Sequence, residues 1–148
     1  MSLLASLLKP ETTLLDIPAL DKNALFDAID ARLASVLDLA PKMIAHSLTA
    51  REKLGSTGLG QGVAIPHGRI KQLKQATCVF VRTQNPIPFD APDHEPVQLL
   101  FVLLVPEHAT DLHLQLLSEL AQALSDRPLR ERLLAVTSAQ EAITLLAP

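Results

Sequence analysis

Val-Gln-Leu-Leu-Phe-Val-Leu-Leu-Val, residues 97–105, is a nearly continuous apolar run that decides which class of fold this chain can adopt. A strand with one face in water alternates apolar and polar residues, whereas a strand covered on both faces is apolar throughout. The run stops at Pro106, and its apolar core is far too short to span a bilayer. It therefore predicts a central strand with helices packed on both faces.

The segments before this run predict further strands. Residues 76–82 are apolar and rich in β-branched side chains, which is typical of a strand, and residues 63–65 predict a short buried strand that ends at Pro66. Residues 85–96 carry four prolines, so this segment is expected to be an extended, turn-rich excursion.

Two helices are predicted before the strands from N-caps and apolar spacing. The first begins near Asp21, and the second begins at Pro41 and stops at Gly55. The apolar stripe of the first helix is Leu25, Ile29, Leu33 and Val36. The corresponding side of the second helix is Ile44, Leu48, Arg51 and Leu54.

Three helices are predicted after the central strand. One extends from Thr110 to Ser125, and the next begins at Asp126 or Arg127 with Pro128 in its first turn. Residues 138–141, Ser-Ala-Gln-Glu, form a capping box that opens a last helix ending at Leu146. The face of the first of these helices carries His113, Leu117, Leu120 and Leu124.

Helices that alternate with apolar strands indicate an α/β fold, with a mixed parallel and antiparallel β-sheet sandwiched by helices on both faces. The length of 148 residues predicts a single domain covering residues 1–148. Hydrophobic residues make up 48% and charged residues 20% of the chain, an ordinary balance for a globular protein.

Composition also excludes several classes of function. The net charge is -3, and the 13 Lys and Arg are scattered among 16 Asp and Glu, which argues against nucleic-acid binding. Cys78 lies in an apolar run and is expected to be buried and unreactive. The N-terminal segment lacks a basic leader, so we expect a cytoplasmic protein without membrane insertion.

All five glycines lie between Gly55 and Gly68, and this stretch ends in Pro66-His67-Gly68. Glycine permits backbone conformations that other residues disfavour, and a loop of exposed NH groups can bind an anion. A histidine beside such a loop predicts a site that receives a phosphoryl group. The dinucleotide and P-loop motifs are absent, because residue 63 is Val in the GxGxG string and no GK[ST] occurs.

His67 is the first candidate for the chemistry, since a neutral imidazole nitrogen is a nucleophile at pH 7. For the residue taken alone, a histidine that only satisfies a hydrogen bond at a strand end is the better interpretation. Its position between Pro66 and Gly68, at the end of the glycine stretch, makes the two interpretations equally good. His113 is predicted to point inward from the first turn of its helix, where it would either bind a backbone carbonyl or steady an anion. Arg51, one turn before the glycines, is either an ordinary helical arginine or an anion clamp.

Further anion ligands are expected within the glycine stretch itself. Ser56 and Thr57 would offer hydroxyl and NH groups, although both residue types are also common where a helix ends. The predicted phosphate-binding set is Ser56, Thr57, Gly58 and Gly68. The remaining histidines, His46, His94 and His108, are expected to face solvent, and a zinc site is not expected because the spacing of ligands is wrong.

The string from Arg51 to Gly68, REKLGSTGLGQGVAIPHG, resembles the active-site signature of enzyme IIA components of the bacterial phosphotransferase system, fructose/mannitol class. It is most similar to the nitrogen-regulatory branch of that class. The resemblance covers nearly the whole chain. Segments that also resemble the branch are residues 86–91, residues 103–106 and residues 112–114.

The resemblance implies that His67 is the phosphorylated residue, that His113 stabilises the phosphoryl group and that Arg51 clamps it. The donor would be an HPr-like phosphocarrier, and no cofactor or metal would be needed. Relatives often carry a second histidine two residues after the one that matches His113, but this chain has Gln115 there.

Three functions are compatible with these observations. The first is a phosphohistidine carrier whose phosphorylation state regulates partner proteins, such as a potassium transporter or a sensor kinase. The second is a sugar-transport IIA protein that passes the phosphoryl group to a IIB domain. The third is an interaction module in which His67 is never phosphorylated.

Overall fold

A mixed β-sheet forms the centre of the computed structural model, which describes residues 3–108 and 111–147. Within these residues the sheet has six strands in the order β1-β5-β6-β3-β2, and β4 pairs with β6 next to β3. Their bounds are β1 Thr13–Ile17, β2 Gly58–Gly60, β3 Val63–Ala64, β4 His67–Ile70, β5 Thr77–Ile87 and β6 Val97–Pro106. The predicted apolar run is therefore the central strand.

The pairing of the strands is both parallel and antiparallel, as predicted. β5 and β6 form the long antiparallel pair at the centre, and β1 adds to β5 in parallel. On its other side β6 pairs in parallel with β3 and then with β4, which places His67 opposite Leu103. β2 and β3 form a short antiparallel hairpin.

Six helices within the described residues pack around this sheet. Their bounds are α1 Leu3–Leu7, α2 Lys22–Leu33, α3 Met43–Glu52, α4 Asp111–Leu124, α5 Arg127–Ala135 and α6 Ala139–Leu146. A short 3-10 turn, Pro10–Thr12, precedes β1.

Helices cover both faces of the sheet because neighbouring residues of a strand point in opposite directions. Leu100, Val102 and Leu104 of β6 pack in one core with α2 and α3. Leu99 and Phe101 of the same strand pack in a second core with α1, α4, α5 and α6. The continuous apolar pattern of β6 thus follows from burial on two sides.

Side-chain caps fix where several helices begin, as the sequence predicts. The carboxylate of Asp21 accepts a hydrogen bond from the NH of Ala24, and Asp126 and Ser138 cap α5 and α6 in the same way. The start of α3 uses a distant residue instead. The buried carboxylate of Asp30 accepts hydrogen bonds from the backbone NH groups of Lys42, at 2.9 Å, and Ala45, at 3.0 Å.

Several predicted boundaries are wrong. α2 ends at Leu33, and α3 begins at Met43 rather than Pro41 and ends at Glu52. As a result Val36 and Leu54 lie beyond the two helices and leave 49% and 84% of their surfaces exposed. The predicted start of the helix after β6, Thr110, lies outside the described residues.

Three strands are absent from the prediction. β1 was not predicted, β2 lies inside the glycine stretch that was interpreted as a loop, and β4 starts directly after Pro66. β5 extends to Ile87, so it includes the first residues of the proline-rich segment. These strands are short or lack an alternating pattern, and they depend on pairing with residues distant in the sequence.

Cys78 lies in the second core as predicted, and burial raises the pKa of its thiol to about 12. No helix in the described part of the chain combines the length and the apolar composition needed to cross a membrane. The cytoplasmic location expected from the sequence stays a prediction.

Candidate functional site

His67 is the first residue of β4, and its half-buried imidazole ring has both nitrogens in use. Nδ1 lies 3.0 Å from the carbonyl oxygen of Ile65, and Nε2 accepts a hydrogen bond of 3.3 Å from Nε of Arg51. A carbonyl oxygen only accepts, so Nδ1 carries the proton in a neutral ring. The lone pair of Nε2 therefore faces the guanidinium group.

Arg51 reaches His67 from the last turn of α3 and is held at a second point. Its Nη1 donates a hydrogen bond of 2.8 Å to the carbonyl oxygen of Gly55, in the segment that follows the helix. The planar guanidinium is thus oriented by the residues just after its own helix. The predicted proximity of Arg51 to the glycine stretch is correct.

His113 approaches the same site from the third residue of α4. Leu116 follows His113 by three residues and so lies on the same face of the helix. It packs against Leu103 and Val105 of β6, and Leu103 is the residue paired with His67. Nδ1 of His113 is buried and has no hydrogen-bond partner within the described residues. Buried polar atoms without a partner are uncommon in native structures, so this nitrogen calls for an explanation such as a role in binding or catalysis.

The electrostatic environment keeps the His67 ring neutral. Burial lowers the pKa of His67 below its ordinary 6.5, and the charges of Arg51 and His113 lower it further. The hydrogen bond to Ile65 and the charge of Glu52 act in the opposite direction, but the net change is downward. Nε2 is consequently available as a nucleophile at neutral pH.

The predicted phosphate ligands at the start of the glycine stretch already donate to protein acceptors. The NH and the hydroxyl of Thr57 bind the two carboxylate oxygens of Glu52, at 2.8 and 2.7 Å. The hydroxyl of Ser56 donates to the carbonyl oxygen of Phe89, and the NH of Gly58 donates to Ser56 Oγ. A role for these groups in phosphate binding stays a prediction and would require them to exchange partners.

Most of the glycines have a structural reason that is independent of phosphate. A Cβ atom at Gly58 would lie 2.8 Å from Cβ of Ala91, and one at Gly68 would collide with the hydroxyl of Ser47. Gly60 and Gly62 have φ values of 90° and 78° at the β2–β3 turn. Close packing and turn geometry therefore explain why this stretch is rich in glycine.

The other three histidines lie apart from this arrangement. His46, His94 and His108 are exposed, as the sequence predicts. His113, by contrast, acts electrostatically on His67, although the two residues are 46 positions apart in the chain.

The family model of the "Phosphoenolpyruvate-dependent sugar phosphotransferase system, EIIA 2" matches residues 6–148. The chain belongs to this family. The resemblance seen in the sequence is thereby confirmed.

Two relatives of the EIIA 2 chain are nitrogen regulatory proteins. The nitrogen regulatory protein of Escherichia coli (strain K12) is 41% identical over 139 residues, which cover 93% of this chain and 85% of that protein. The crystal structure of nitrogen regulatory protein IIA-Ntr from Neisseria meningitidis matches with a TM-score of 0.91 and 48% identity over 98% of this chain and 99% of that one.

A more distant structure contains a member of the sugar branch with its partner. It is the complex of enzyme IIAMTL and phosphorylated enzyme IIBMTL from Escherichia coli, with a TM-score of 0.79 and 26% identity over 95% of this chain and 96% of that one. Both structures support the α/β fold with a mixed sheet.

One pair of residues beside the EIIA 2 site was missed by the sequence reasoning. Glu52 follows Arg51 in the chain, and its carboxylate lies 3.1 Å from Nζ of Lys22, the first residue of α2. Lys22 also lies 4.7 Å from the centre of the Phe89 ring. Thirty residues separate Lys22 from Glu52, so no local pattern indicates the pair.

Proposed function

We propose that this protein is a phosphohistidine carrier of the nitrogen-related phosphotransferase system and that it accepts a phosphoryl group on Nε2 of His67. The observation that carries the proposal is the pair of hydrogen bonds on the His67 ring, which fixes the proton on Nδ1 and points the Nε2 lone pair at a cation. Membership in the EIIA 2 family supports the same chemistry.

The donor in this proposal is a phosphohistidine on an HPr-like carrier protein. The Nε2 lone pair of His67 attacks phosphorus, the P–N bond of the donor breaks, and its electron pair stays on the donor ring. The donor ring carries a proton on its other nitrogen, so it leaves as a neutral imidazole. The proton on Nδ1 of His67 remains hydrogen-bonded to Ile65 throughout. No nucleotide or metal is required to balance this step, because one P–N bond replaces another.

Arg51 and His113 would stabilise the transferred group. Phosphoryl transfer depends mainly on positioning and on neutralising the charge of the equatorial oxygens. When Nε2 forms its bond to phosphorus, Arg51 loses its present acceptor on that ring and can turn its donors to the phosphoryl oxygens. The buried Nδ1 of His113 supplies a second ligand.

The regulatory part of the proposal follows from charge. A phosphoryl group adds about -1.5 to -2 charges at the surface, enough to change which partners bind there. The relative from Escherichia coli is named a nitrogen regulatory protein, and regulation of a potassium transporter or a sensor kinase is the kind of role we propose.

Incubation with phosphoenolpyruvate, enzyme I and an HPr-like carrier tests the proposal, with intact mass recorded before and after mild acid. We expect a gain of one phosphate that acid removes. His67→Ala should abolish the gain, and the matched control His46→Ala, at an exposed histidine of α3, should retain it. If the folded wild-type protein gains no mass with any combination of enzyme I and HPr-like carrier, the proposal is contradicted.

A sugar-transport role is the second candidate, and the match to IIAMTL in complex with phosphorylated IIBMTL favours it. Mixing the phosphorylated protein with fructose- and mannitol-type IIB domains distinguishes the regulatory role from the sugar-transport role. Transfer to a IIB domain at a rate similar to that from the carrier would favour sugar transport. A third possibility, an unphosphorylated interaction module, requires His67→Ala to regulate partners as the wild type does under all donor conditions.

A further inference from the structure

The ion pair between Lys22 and Glu52 lies beneath the surface, next to the candidate site. Glu52 exposes 5% of its side chain and Lys22 exposes 17%. Nζ of Lys22 lies 3.1 Å from Oε1 of Glu52 and 3.6 Å from Oδ2 of Asp90, which is largely exposed. Removing two charges from water is unfavourable, so a pair of this kind calls for a reason beyond stability.

Glu52 is joined to the His67 ring by a continuous series of hydrogen bonds. Its carboxylate accepts from the NH and hydroxyl of Thr57, and the carbonyl oxygen of Thr57 accepts from the NH of Ile65. The carbonyl oxygen of Ile65 then accepts from Nδ1 of His67. The carboxylate thereby fixes the segment that orients the imidazole.

The same carboxylate also fixes the segment that orients Arg51. Thr57 and the end of α3 are tied together by Glu52, and the intervening residues include Gly55, whose carbonyl oxygen binds Nη1 of Arg51. Glu52 therefore acts on both partners of the bond between Arg51 and His67. These hydrogen bonds make Glu52 a positioning residue for both side chains.

The negative charge of Glu52 is unfavourable for a phosphoryl group on His67. The charged groups that act on the ring are Arg51 and Glu52 from α3 and His113 from α4, and of these only Glu52 favours a positive ring and opposes a negative group. A phosphoryl group brings about two further negative charges. A cation that neutralises Glu52 without touching the phosphoryl group would remove this conflict.

We propose that Lys22 and Glu52 form a positioning pair for phosphoryl transfer, in which Glu52 orients His67 and Arg51 and Lys22 cancels the charge of Glu52. This inference rests on the proposed function. It predicts that hydrogen bonding by residue 52 and charge at residue 22 make separable contributions to phosphorylation.

Four variants separate the two contributions. Lys22→Met removes the cation and keeps an unbranched chain against Phe89. Glu52→Gln removes the charge, while its amide can still accept from the NH of Thr57 and donate to the Thr57 hydroxyl. The double variant Lys22→Met/Glu52→Gln is neutral at both positions, and Glu52→Ala removes the hydrogen bonds.

Lys42→Met is the matched control. Lys42 pairs with Asp27 at 3.7 Å, but both side chains are largely exposed and lie at the opposite end of α3 from Arg51. The substitution removes the same charge from a surface pair, where screening by water makes the effect small. It should leave phosphorylation unchanged.

The measurement is the equilibrium between phosphorylated carrier and phosphorylated protein at about pH 8. Lys22→Met should lower the equilibrium constant by about tenfold, the order expected when one charge near a surface loses its counter-charge. Glu52→Gln should equal or exceed the wild type, and the double variant should return to within about threefold of it. A purely structural pair also recovers when both charges are removed, but it predicts that Glu52→Gln is impaired, because that variant leaves Lys22 without its buried partner. The result for Glu52→Gln therefore separates the two explanations.

Glu52→Ala should lower the rate of phosphorylation by about tenfold, and adding Lys22→Met should not restore it, because the lost function is orientation. If Glu52→Ala does not fold, Thr57→Val removes one of the two hydrogen bonds with little change in shape. A normal rate in folded Glu52→Ala, or an unaffected equilibrium in Lys22→Met, would overturn the inference.

Phosphoramidate, which phosphorylates histidine without any carrier protein, keeps the inference separate from the proposed function. Wild type that accepts phosphate on His67 from phosphoramidate but not from carriers would contradict the proposed function alone. The initial rate of phosphorylation by phosphoramidate and the lifetime of the phosphohistidine would still test the Lys22–Glu52 pair. We expect the variants to rank as they do in the carrier equilibrium, with Lys22→Met below the wild type and Glu52→Gln at or above it. If Lys22→Met does not differ from Lys42→Met, the inference is overturned.

Discussion

Replacing Arg51 with methionine separates two effects that the guanidinium has on His67. Its positive charge helps to lower the pKa of His67, and its Nε donates to the nitrogen that would attack phosphorus. Arg51→Met removes both effects, while Arg51→Lys keeps a charge and loses the planar set of donors.

The ionisation effect is the smaller of the two. An ordinary imidazole with a pKa near 6.5 is about three-quarters neutral at pH 7, so a return to this value reduces the neutral His67 by less than about twofold. Loss of one preorganised donor to the transition state typically costs about 100- to 1,000-fold in rate. Stabilisation of the transferred group, rather than the supply of neutral histidine, should therefore dominate.

Single-turnover phosphorylation by an excess of phosphorylated carrier at about pH 7 measures this directly. We expect Arg51→Met to react about 100- to 1,000-fold more slowly than wild type and Arg51→Lys to fall between them. Arg32→Met, at an exposed arginine in the last turn of α2, is the control and should react at the wild-type rate. A rate for Arg51→Met within about threefold of wild type would refute the role of Arg51 as a phosphoryl clamp.

Three further predictions concern the framework of the site. Asp30→Ala should lower the free energy of unfolding by about 2 to 4 kcal/mol in urea denaturation, because it leaves one buried and one part-buried NH group at the start of α3 without their acceptor. A loss below about 0.5 kcal/mol would contradict this. Gly68→Ala should cost about 1 to 3 kcal/mol because the new methyl group meets Ser47, and Ser47→Ala in the same chain should recover part of that loss. The pKa of the His67 ring, measured by NMR, should lie below 6.5, and a midpoint above 6.5 would contradict this. Because the unfolded chain then binds the proton more readily than the folded one, His67 should reduce the free energy of unfolding only as pH falls below about 6.5.

The sequence was sufficient to predict the layers of the fold and the residues that meet at the site. The continuous apolar pattern of β6 is recognisable as that of a strand buried on both faces. Helix caps such as Asp126 and Ser138 are predictable because they bind backbone groups only three residues away. His67 and Arg51 were found because they lie near a distinctive glycine stretch. His113 was found because its spacing placed it on the inward face of a helix.

Features that depend on distant pairing were not predictable in this way. β4 becomes a strand because it pairs with β6, and its four residues carry no alternating pattern. The cap of α3 comes from Asp30, and the counter-ion of Glu52 comes from Lys22, each on α2. No spacing rule connects residues on different helices, because their proximity is set by how α2 and α3 pack.

Glycine at position 68 links the framework to the chemistry. A side chain there would push against Ser47 of α3, whose hydroxyl also donates to the carbonyl oxygen of Arg69 in β4. Ser47 lies one helical turn before Arg51, and Gly68 directly follows His67, so this close contact sets how near the guanidinium comes to the imidazole. Displacing α3 by even a few tenths of an ångström would lengthen the 3.3 Å bond between Nε of Arg51 and Nε2 of His67. Gly68 thus acts on the proposed phosphoryl site through the packing of α3 against β4, and its role as a direct phosphate ligand stays a prediction.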